Sequence, residues 1–190
     1  MTTCVLSITI LTYNSGEFID ELLESLYLQG NKKVQLVISD DFSTDKTVEK
    51  IKNWLMKLDG LFFEIIFLEN FKNVGVVENK IRTFSYLKGE WHKGIAGDDK
   101  LHNNAMNSLL EDCEKYKNSS IVIGKARIFG NSNNINAIIP RENLIGKLNS
   151  IKKIRNYLFE GYTFPAICFL VKTEIYYKNN LFKKARRNFE

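Results

Sequence analysis

The chain has 190 residues, of which 44% are hydrophobic and 12% aromatic, so it can build one domain with a substantial core. No apolar run approaches the roughly 18 residues that a membrane-spanning helix needs, and three widely spaced cysteines favour the reduced thiols of a cytosolic protein over a disulfide framework. The net charge is +5, but no recognised nucleic-acid-binding motif accompanies it, so nucleic acid is not expected as a partner.

The first predicted elements are a strand, a polar loop and a helix. The apolar run over residues 5–11 predicts a buried strand that is central and parallel. A polar loop over residues 12–17 follows, and apolar residues then recur at helical spacing over residues 18–26. Asn14 and Glu17 fit a helix capping box, so each of these side chains has either a capping role or a ligand role.

A second strand and helix repeat this order. The run over residues 34–38 predicts a strand that leads into a loop rich in Asp and Ser. A stripe of apolar residues over 48–58 predicts the helix. Ser43 or Thr44 is expected to cap this helix, and Asp45 to favour its N-terminus.

Two adjacent acids follow the fourth strand. A third strand over residues 62–68, a helix over 76–87 and a fourth strand over 91–95 are predicted in this order. The fourth strand would deliver Asp98 and Asp99 at its carboxyl end. Such a pair can hold a divalent cation and a sugar hydroxyl, although an exposed acidic turn is the plainer interpretation.

Beyond the acids the pattern becomes weaker. A helix is predicted over residues 105–113, with Asn103 or Asn104 as its cap. The remaining predictions are a short strand, a loop, a basic amphipathic helix and a buried strand, at residues 121–123, 130–136, 148–158 and 166–171.

The alternation of strands and helices predicts an α/β fold, with a mostly parallel sheet and helices on both faces. We expect a single domain over residues 1–190. Ligands of such sheets bind outside the carboxyl ends of the strands, where the loops carry Tyr13, Asp40 and Asp98. The first loop lacks the GxGxxG turn of a Rossmann oxidoreductase, and the chain has no P-loop, so both classes are disfavoured.

These loops are suited to a nucleoside diphosphate. Without a glycine-rich cradle the diphosphate needs a cation, and Asp98 and Asp99 offer oxygen ligands for Mg²⁺ or Mn²⁺. Tyr13 offers a flat face for a base, and Asp40 an acceptor for the imide N–H of uracil or thymine. Tyr13 is equally consistent with a packing aromatic.

Five motifs in order over residues 5–101 resemble those of inverting glycosyltransferases of family 2, which have the GT-A (Rossmann-like) fold. The spacing of Asn73, Gly75 and Asn79 resembles the rhamnosyltransferase-like branch. The matching residues are Thr12-Tyr13-Asn14 with Glu17, Ser39 to Asp45, Asn73-Val74-Gly75 with Asn79, Lys88 to Trp91, and Ala96 to Asp99.

The resemblance implies a donor site that is built from these motifs. It assigns metal binding to Asp99 with Asp98, and Ala96 stands where the family often has a third acid. The residues that it implies for nucleotide-sugar binding are Thr12, Tyr13, Asn14, Glu17, Asp40, Asn79 and Asp98.

The resemblance also implies transfer of a sugar, with inversion, from a donor of the UDP or dTDP type to a hydroxyl of a polysaccharide or lipid-linked glycan. Residues 1–101 would bind the donor and residues 102–190 the acceptor. The family's general base lies in an acidic pair, and Glu190 is either the candidate for its first member or a solvated terminal acid. Because the second acid is missing, we expect a C-terminally truncated chain; a nucleotide-sugar-binding domain with poor turnover is the alternative.

The positive charge is concentrated towards the C-terminus. Residues 147–190 hold ten Lys and Arg against three Asp and Glu. Such a segment suggests an anionic partner, either a phosphate-bearing acceptor or a membrane surface. Membrane contact would place a cytoplasmic protein at the inner membrane face. A solvated basic face is the simpler interpretation.

Overall fold

The computed structural model describes residues 3–130, 137–139, 150, 152–153 and 166–178. Strands and helices alternate over residues 6–123, as the sequence predicts. The elements are β1 (Leu6–Thr12), α1 (Ile19–Tyr27), β2 (Val34–Asp40), α2 (Thr47–Leu58), β3 (Glu64–Glu69), α3 (Gly75–Phe84), β4 (Trp91–Ala96), α4 (Ala105–Lys115), β5 (Ile121–Ile123), β6 (Ala126–Arg127), β7 (Ile138–Ile139), a 3-10 helix (Ala166–Cys168), β8 (Phe169–Lys172) and α5 (Glu174–Lys178).

Six strands form one sheet in the order β3-β2-β1-β4-β8-β5. β1 to β4 are parallel, whereas β8 runs antiparallel to both β4 and β5. β1 is therefore central, and the predicted α/β fold with a mostly parallel sheet is confirmed. β6 and β7 pair with each other in a separate two-stranded sheet.

The parallel strands end level with one another. Thr12 in β1 pairs with Asp40 in β2, and Asp40 pairs with Glu69 in β3. On the other side of β1, Leu11 pairs with Ala96 in β4. Because β8 is antiparallel and its last two residues pair with the start of β4, the segment that precedes β8 lies towards this same edge. The loops with the predicted site residues therefore leave the sheet together.

The two faces of the sheet differ in character. Leu6, Ile8 and Ile10 of β1 are fully buried in an apolar cluster with side chains of α1, α2 and α4. Ser7 and Thr9 alternate with them, face the other side and meet polar partners there. α3 and α5 cover that second face, so helices lie on both sides of the sheet, as predicted.

A buried histidine links the second face to α5. Thr9 Oγ1 lies 2.9 Å from His92 Nε2, and His92 Nδ1 lies 2.9 Å from the Tyr176 hydroxyl. Burial, together with the charges of two nearby lysines, lowers the pKa of His92 from 6.5 to about 3. The imidazole is therefore neutral at physiological pH.

The start of α1 corrects one prediction. The helix begins at Ile19, and its N-cap residue Phe18 makes no side-chain capping hydrogen bond. Asn14 lies outside the first turn, and its side chain bonds Thr44 in the loop after β2. The capping box of Asn14 with Glu17 is therefore wrong.

The starts of α2 and α4 give further corrections. α2 begins at Thr47, whose N–H donates to Asp45 at 2.9 Å, so the capping predictions for Ser43 and Thr44 are wrong. The expected position of Asp45 at this helix end is confirmed. Asn104 is the N-cap residue of α4, as predicted, but its side chain makes no capping hydrogen bond.

The C-terminal predictions are met in part. Residues 166–171 were expected to be a strand, but Ala166–Cys168 form a 3-10 helix and β8 begins only after it. Residues 131–136 of the predicted loop, and most of the amphipathic helix predicted over 148–158, lie outside the described residues.

The buried imidazole should make the fold sensitive to acid. Between pH 6.5 and about 3 the unfolded chain binds a proton at His92 that the folded chain does not bind. The free energy of unfolding therefore decreases as the pH falls through this window, by as much as about 1.4 kcal/mol per pH unit. We expect His92→Gln to flatten this dependence in urea unfolding measured from about pH 7 to about pH 4.

His102→Gln is the matched control, because His102 lies exposed in the turn before α4. It should keep the pH dependence of the wild type. Equal pH dependence in His92→Gln and the wild type would contradict a buried, neutral His92.

Candidate active site

Four loops leave the carboxyl edge of the parallel strands and are numbered by the strands that they follow. Loop 1 covers residues 13–18, loop 2 residues 41–46, loop 3 residues 70–74 and loop 4 residues 97–104. Most of the predicted site residues that the structure describes lie in loops 1 and 4. Thr12 and Asp40 are the last residues of β1 and β2, and Asn79 lies in α3.

Asn14 and Thr12 join loop 1 to the end of β2 and to loop 2. Thr12 Oγ1 donates to Asp40 Oδ1 at 2.8 Å. The Asn14 N–H donates to Ser43 Oγ at 2.9 Å, and Asn14 Oδ1 accepts the Thr44 N–H at 2.9 Å. Asn14 adopts the left-handed conformation, with φ of 48°, which asparagine tolerates better than most residues. Asn14 thus bridges the two loops.

Asp40 is 1% exposed and organises loop 2. Its Oδ1 accepts hydrogen bonds from the Thr12 and Ser43 hydroxyls, and its Oδ2 accepts the Ser43 N–H at 2.8 Å. These bonds hold Phe42 at φ of 66°, which a bulky residue rarely adopts. The described residues leave one acceptor position of Oδ2 unused.

Asp45 fastens the end of loop 2 to loop 1. Its Oδ2 accepts the Gly16 N–H at 2.9 Å, and its Oδ1 accepts the N–H and hydroxyl of Thr47. A Cβ at Gly16 would lie 2.7 Å from Asp45 Oδ2, so this approach requires glycine. Burial acts to raise the pKa of Asp45, but the hydrogen bonds from Thr47 and Gly16 outweigh it and lower the pKa.

Asp41 holds loop 3 and the first turn of α3. Its Oδ1 accepts the Val74 N–H and its Oδ2 the Gly75 N–H, each at 2.8 Å. Gly75 has φ of 82°, a conformation that favours glycine. Asn79 in α3 is buried and bonds Ser39 at the end of β2 through both amide atoms. Asn79 therefore joins α3 to the end of β2.

Loop 4 packs directly on loop 1. A Cβ at Gly97 would lie 2.5 Å from Ser15 Oγ and 3.0 Å from Thr12 Cγ2. The Gly97 N–H donates to a β1 carbonyl at 2.9 Å. The backbone at Gly97 therefore lies directly against the Ser15 side chain, and the acidic turn lies beside the end of β1.

The two acids of loop 4 have different surroundings. Asp98 is exposed, whereas Asp99 is partly buried and its Oδ2 accepts the Ala96 N–H at 3.2 Å. Burial raises the pKa of Asp99 against this hydrogen bond, and the adjacent Asp98 adds to the rise. Within the described ranges no three acidic, His or Cys side chains are grouped to hold a metal ion, so a cation here would have two carboxylates.

The predicted site residues thus differ in what they can contact. The exposed ones are Tyr13, Asn14, Glu17 and Asp98, and Asp99 is partly exposed. The buried ones are Thr12, Asp40 and Asn79. Glu190 lies outside the described residues. The loops that carry the exposed residues lie at one edge of the sheet. The buried residues stabilise the strand ends and loops at that edge.

Two charged side chains near the site were missed by sequence reasoning. Asp41 caps α3 from another loop, and no local pattern reports such a contact. Lys93 is buried inside β4. The sequence does indicate Lys93, because this lysine lies in the middle of the strand predicted over residues 91–95.

Comparison with known proteins identifies the family. The sequence model described as glycosyl transferase family 2 matches residues 7–183, a range that includes all four loops. The chain belongs to this family. The predicted family and its GT-A fold are confirmed, and members of family 2 are transferases.

Two relatives illustrate the family. Glycosyltransferase GlyG of Streptococcus pneumoniae is 23% identical over 181 residues, which cover 95% of this chain and 58% of that protein. The GalNAc(5)-diNAcBac-PP-undecaprenol beta-1,3-glucosyltransferase of Campylobacter jejuni is 25% identical over 126 residues, which cover 66% of this chain and 37% of that protein. The chain spans about half the length of the relatives that it matches.

Solved structures share the fold. TarS of Staphylococcus aureus in complex with UDP-GlcNAc superposes with a TM-score of 0.70 and 20% identity over 93% of this chain and 47% of that one. The mannosyltransferase PcManGT of Pyrobaculum calidifontis, in complex with GDP-Man and Mn²⁺, superposes with a TM-score of 0.64 and 16% identity over 94% of this chain and 47% of that one.

In the part of the chain that the structure describes, no helix has the length and apolar character to span a membrane.

Direct packing of loop 4 on loop 1 should make Gly97 sensitive to substitution. We expect Gly97→Ala to lower the free energy of unfolding by about 1–3 kcal/mol, because the added Cβ overlaps Ser15 and Thr12. Gly94→Ala is the matched control, since a Cβ there meets nothing closer than Thr9 Oγ1 at 3.7 Å. Equal urea stabilities of the two variants would argue against the packing.

Proposed function

We propose that the chain transfers a sugar, with inversion, from a nucleoside diphosphate sugar to a hydroxyl of a polysaccharide or lipid-linked glycan. The observation that carries this proposal is the packing of loops 1, 2 and 4 at one sheet edge, with Tyr13 and Asp98 exposed there. The undecaprenol-linked acceptor in the name of the Campylobacter jejuni relative and the UDP-GlcNAc bound to TarS support it.

The donor would bind across loops 1 and 2. Tyr13 is 53% exposed and would stack on the base. We assign Asp40 to the imide N–H of uracil or thymine and so favour a UDP or dTDP donor; because Asp40 is only 1% exposed, loop 2 would have to shift for the base to reach it. Asn14 and Glu17 would line the same pocket, while Thr12 and Asn79 would hold Asp40 and the end of β2 in place.

Asp98 and Asp99 would hold Mg²⁺ or Mn²⁺ on the diphosphate. The residues fit this role, because Asp98 is exposed and Asp99 Oδ1 accepts no hydrogen bond from the described residues. Two carboxylates suffice when substrate phosphates and water complete the coordination. Bound there, the cation would supply Lewis-acid stabilisation of the leaving diphosphate.

The acceptor hydroxyl would attack the anomeric carbon in line with the leaving diphosphate, and a carboxylate would accept its proton. Glu190 is our candidate for that base. Residues 1–101 would form the donor half and residues 102–190 the acceptor half. The 3-10 helix before β8 supports this division, because it belongs to the second half of the chain and its Ile167 carbonyl accepts a hydrogen bond from Lys93 of β4.

Donor binding tests the proposal. We expect UDP to bind more tightly with Mn²⁺ present, and Asp99→Asn to weaken this binding by about tenfold, or 1.4 kcal/mol. Tyr13→Ala should weaken UDP binding by about 1 kcal/mol through loss of stacking, while Tyr13→Phe should keep it. Isothermal titration calorimetry measures both effects.

Asp59→Asn is the control, because Asp59 is exposed after α2 and away from the loops. A UDP affinity that is the same with and without Mn²⁺, and the same in Asp99→Asn and Tyr13→Ala as in the wild type, would overturn the proposal. Donor hydrolysis measured in parallel separates catalysis from binding, and tight binding without hydrolysis would assign this stretch of chain to donor binding alone.

The basic residues of 147–190 would bring the site to a membrane with anionic lipids, at the cytoplasmic face. We expect co-sedimentation with vesicles that contain phosphatidylglycerol, reversed at about 0.5 M salt because screening removes the attraction. Neutral phosphatidylcholine vesicles are the control. Equal sedimentation with both vesicle types would contradict electrostatic membrane contact.

A further inference from the structure

A lysine of α2 contacts the backbone of loop 1. Lys50 lies in the first turn of α2 and is partly exposed. Its ammonium donates to the Gly16 carbonyl at 2.7 Å and pairs with Asp20 Oδ2 at 2.6 Å. Gly16 belongs to loop 1, and Asp20 lies in the first turn of α1. One side chain therefore joins α2 both to the loop that carries Tyr13 and to the helix that follows this loop.

The contact with Asp20 lies where α1 has no local cap. The N-cap residue of α1, Phe18, makes no side-chain capping hydrogen bond. Trp54, one turn after Lys50, donates its indole N–H to Asp20 Oδ1 at 2.8 Å. Lys50 and Trp54 are at positions i and i+4, which lie on one face of a helix. Two side chains from consecutive turns of α2 thus hold the start of α1.

Both backbone polar groups of Gly16 bond side chains from this direction. The Gly16 N–H donates to Asp45 Oδ2 at 2.9 Å, and its carbonyl accepts the bond from Lys50. Asn14, two residues earlier, bonds loop 2 through its own N–H and its side-chain oxygen. The backbone of loop 1 is therefore fixed directly after Tyr13 and again at Gly16.

The ion pair of Lys50 contributes little to the free energy of unfolding. The side chains of Lys50 and Asp20 are 31% and 48% exposed, and solvent and salt screen a pair at such exposure. The bond to the Gly16 carbonyl has a different effect, because it removes conformational freedom from a loop. A ligand that binds to an ordered loop does not have to order it.

We propose that Lys50 is a positioning residue that orders loop 1 in advance of donor binding. This inference rests on the proposed donor site, in which Tyr13 stacks on the base. Without the ammonium of Lys50 the Gly16 carbonyl loses its partner, and part of the binding free energy is spent on ordering the loop. Lys50 contacts loop 1 and α1, so its effect falls on the base and not on the metal ligands of loop 4.

UDP binding to Lys50 variants, measured by isothermal titration calorimetry, tests this role. We expect Lys50→Met to bind UDP about threefold more weakly than the wild type, both with and without Mn²⁺, so that the gain in affinity from Mn²⁺ is unchanged. Lys50→Arg keeps the charge and the N–H donors and should recover most of the affinity. Urea unfolding checks that each variant folds, and Lys50→Gln is a second neutral variant if Lys50→Met does not.

Lys52→Met is the matched control. Lys52 lies on the same helix and is also ion-paired, but its partner is Glu69 at the end of β3, at 2.8 Å. This variant should bind UDP as the wild type does.

A double variant tests whether Lys50 acts through Tyr13. Once Tyr13→Ala has removed the stacking ring, adding Lys50→Met should cost no further affinity, so the two losses should not add. A lysine that only stabilises the fold would give no loss in the folded protein, and one that contacts the nucleotide elsewhere would give an additive loss.

The outcomes distinguish this inference from the proposed function. If Tyr13→Ala weakens UDP binding but folded Lys50→Met binds UDP as tightly as the wild type, the positioning role is wrong and the donor site stands. Equal losses in Lys50→Met and Lys52→Met, or additive losses in the double variant, would also overturn the positioning role. If UDP does not bind to the wild type, both proposals are wrong.

Discussion

The carboxylates of loop 2 and the strand end before it are the constraint on which this edge of the molecule depends. Backbone N–H groups that leave a parallel sheet lose their ladder partners and need new acceptors. Asp40, Asp41 and Asp45 supply them, each to a different segment: loop 2 itself, the start of α3, and loop 1. These three acids therefore stabilise the loops at the edge of the sheet, and any role in ligand binding comes in addition to this structural role.

A contact from the second half of the chain supports the other side of β1. Lys93 of β4 is buried, and its ammonium donates to the Ile167 carbonyl in the 3-10 helix before β8. An ammonium group is costly to remove from water without such a partner. This part of the molecule is therefore held by the segment before β8 as well as by the loops.

The sheet and its helices could be predicted from the sequence because hydrophobic periodicity is a local signal: β1, α1 and β4 lie within a residue or two of their expected bounds. The family motifs also predicted which loops lie at the candidate site. The capping predictions for Asn14 and Ser43 were wrong because both side chains bond across loops, and a contact between loops has no signature in either one. Lys93 could have been noticed as a misfit, but its partner Ile167 is far away in sequence.

That separation has a consequence for biosynthesis. The parallel strands β1 to β4 are made within the first 96 residues, whereas the strand that flanks β4 follows more than 70 residues later. Until the ribosome has delivered that strand, the edge of β4 is open and its lysine can stay hydrated. Completion of the sheet at this edge therefore depends on a pairing between residues that are distant in sequence, and such long-range pairings form slowly.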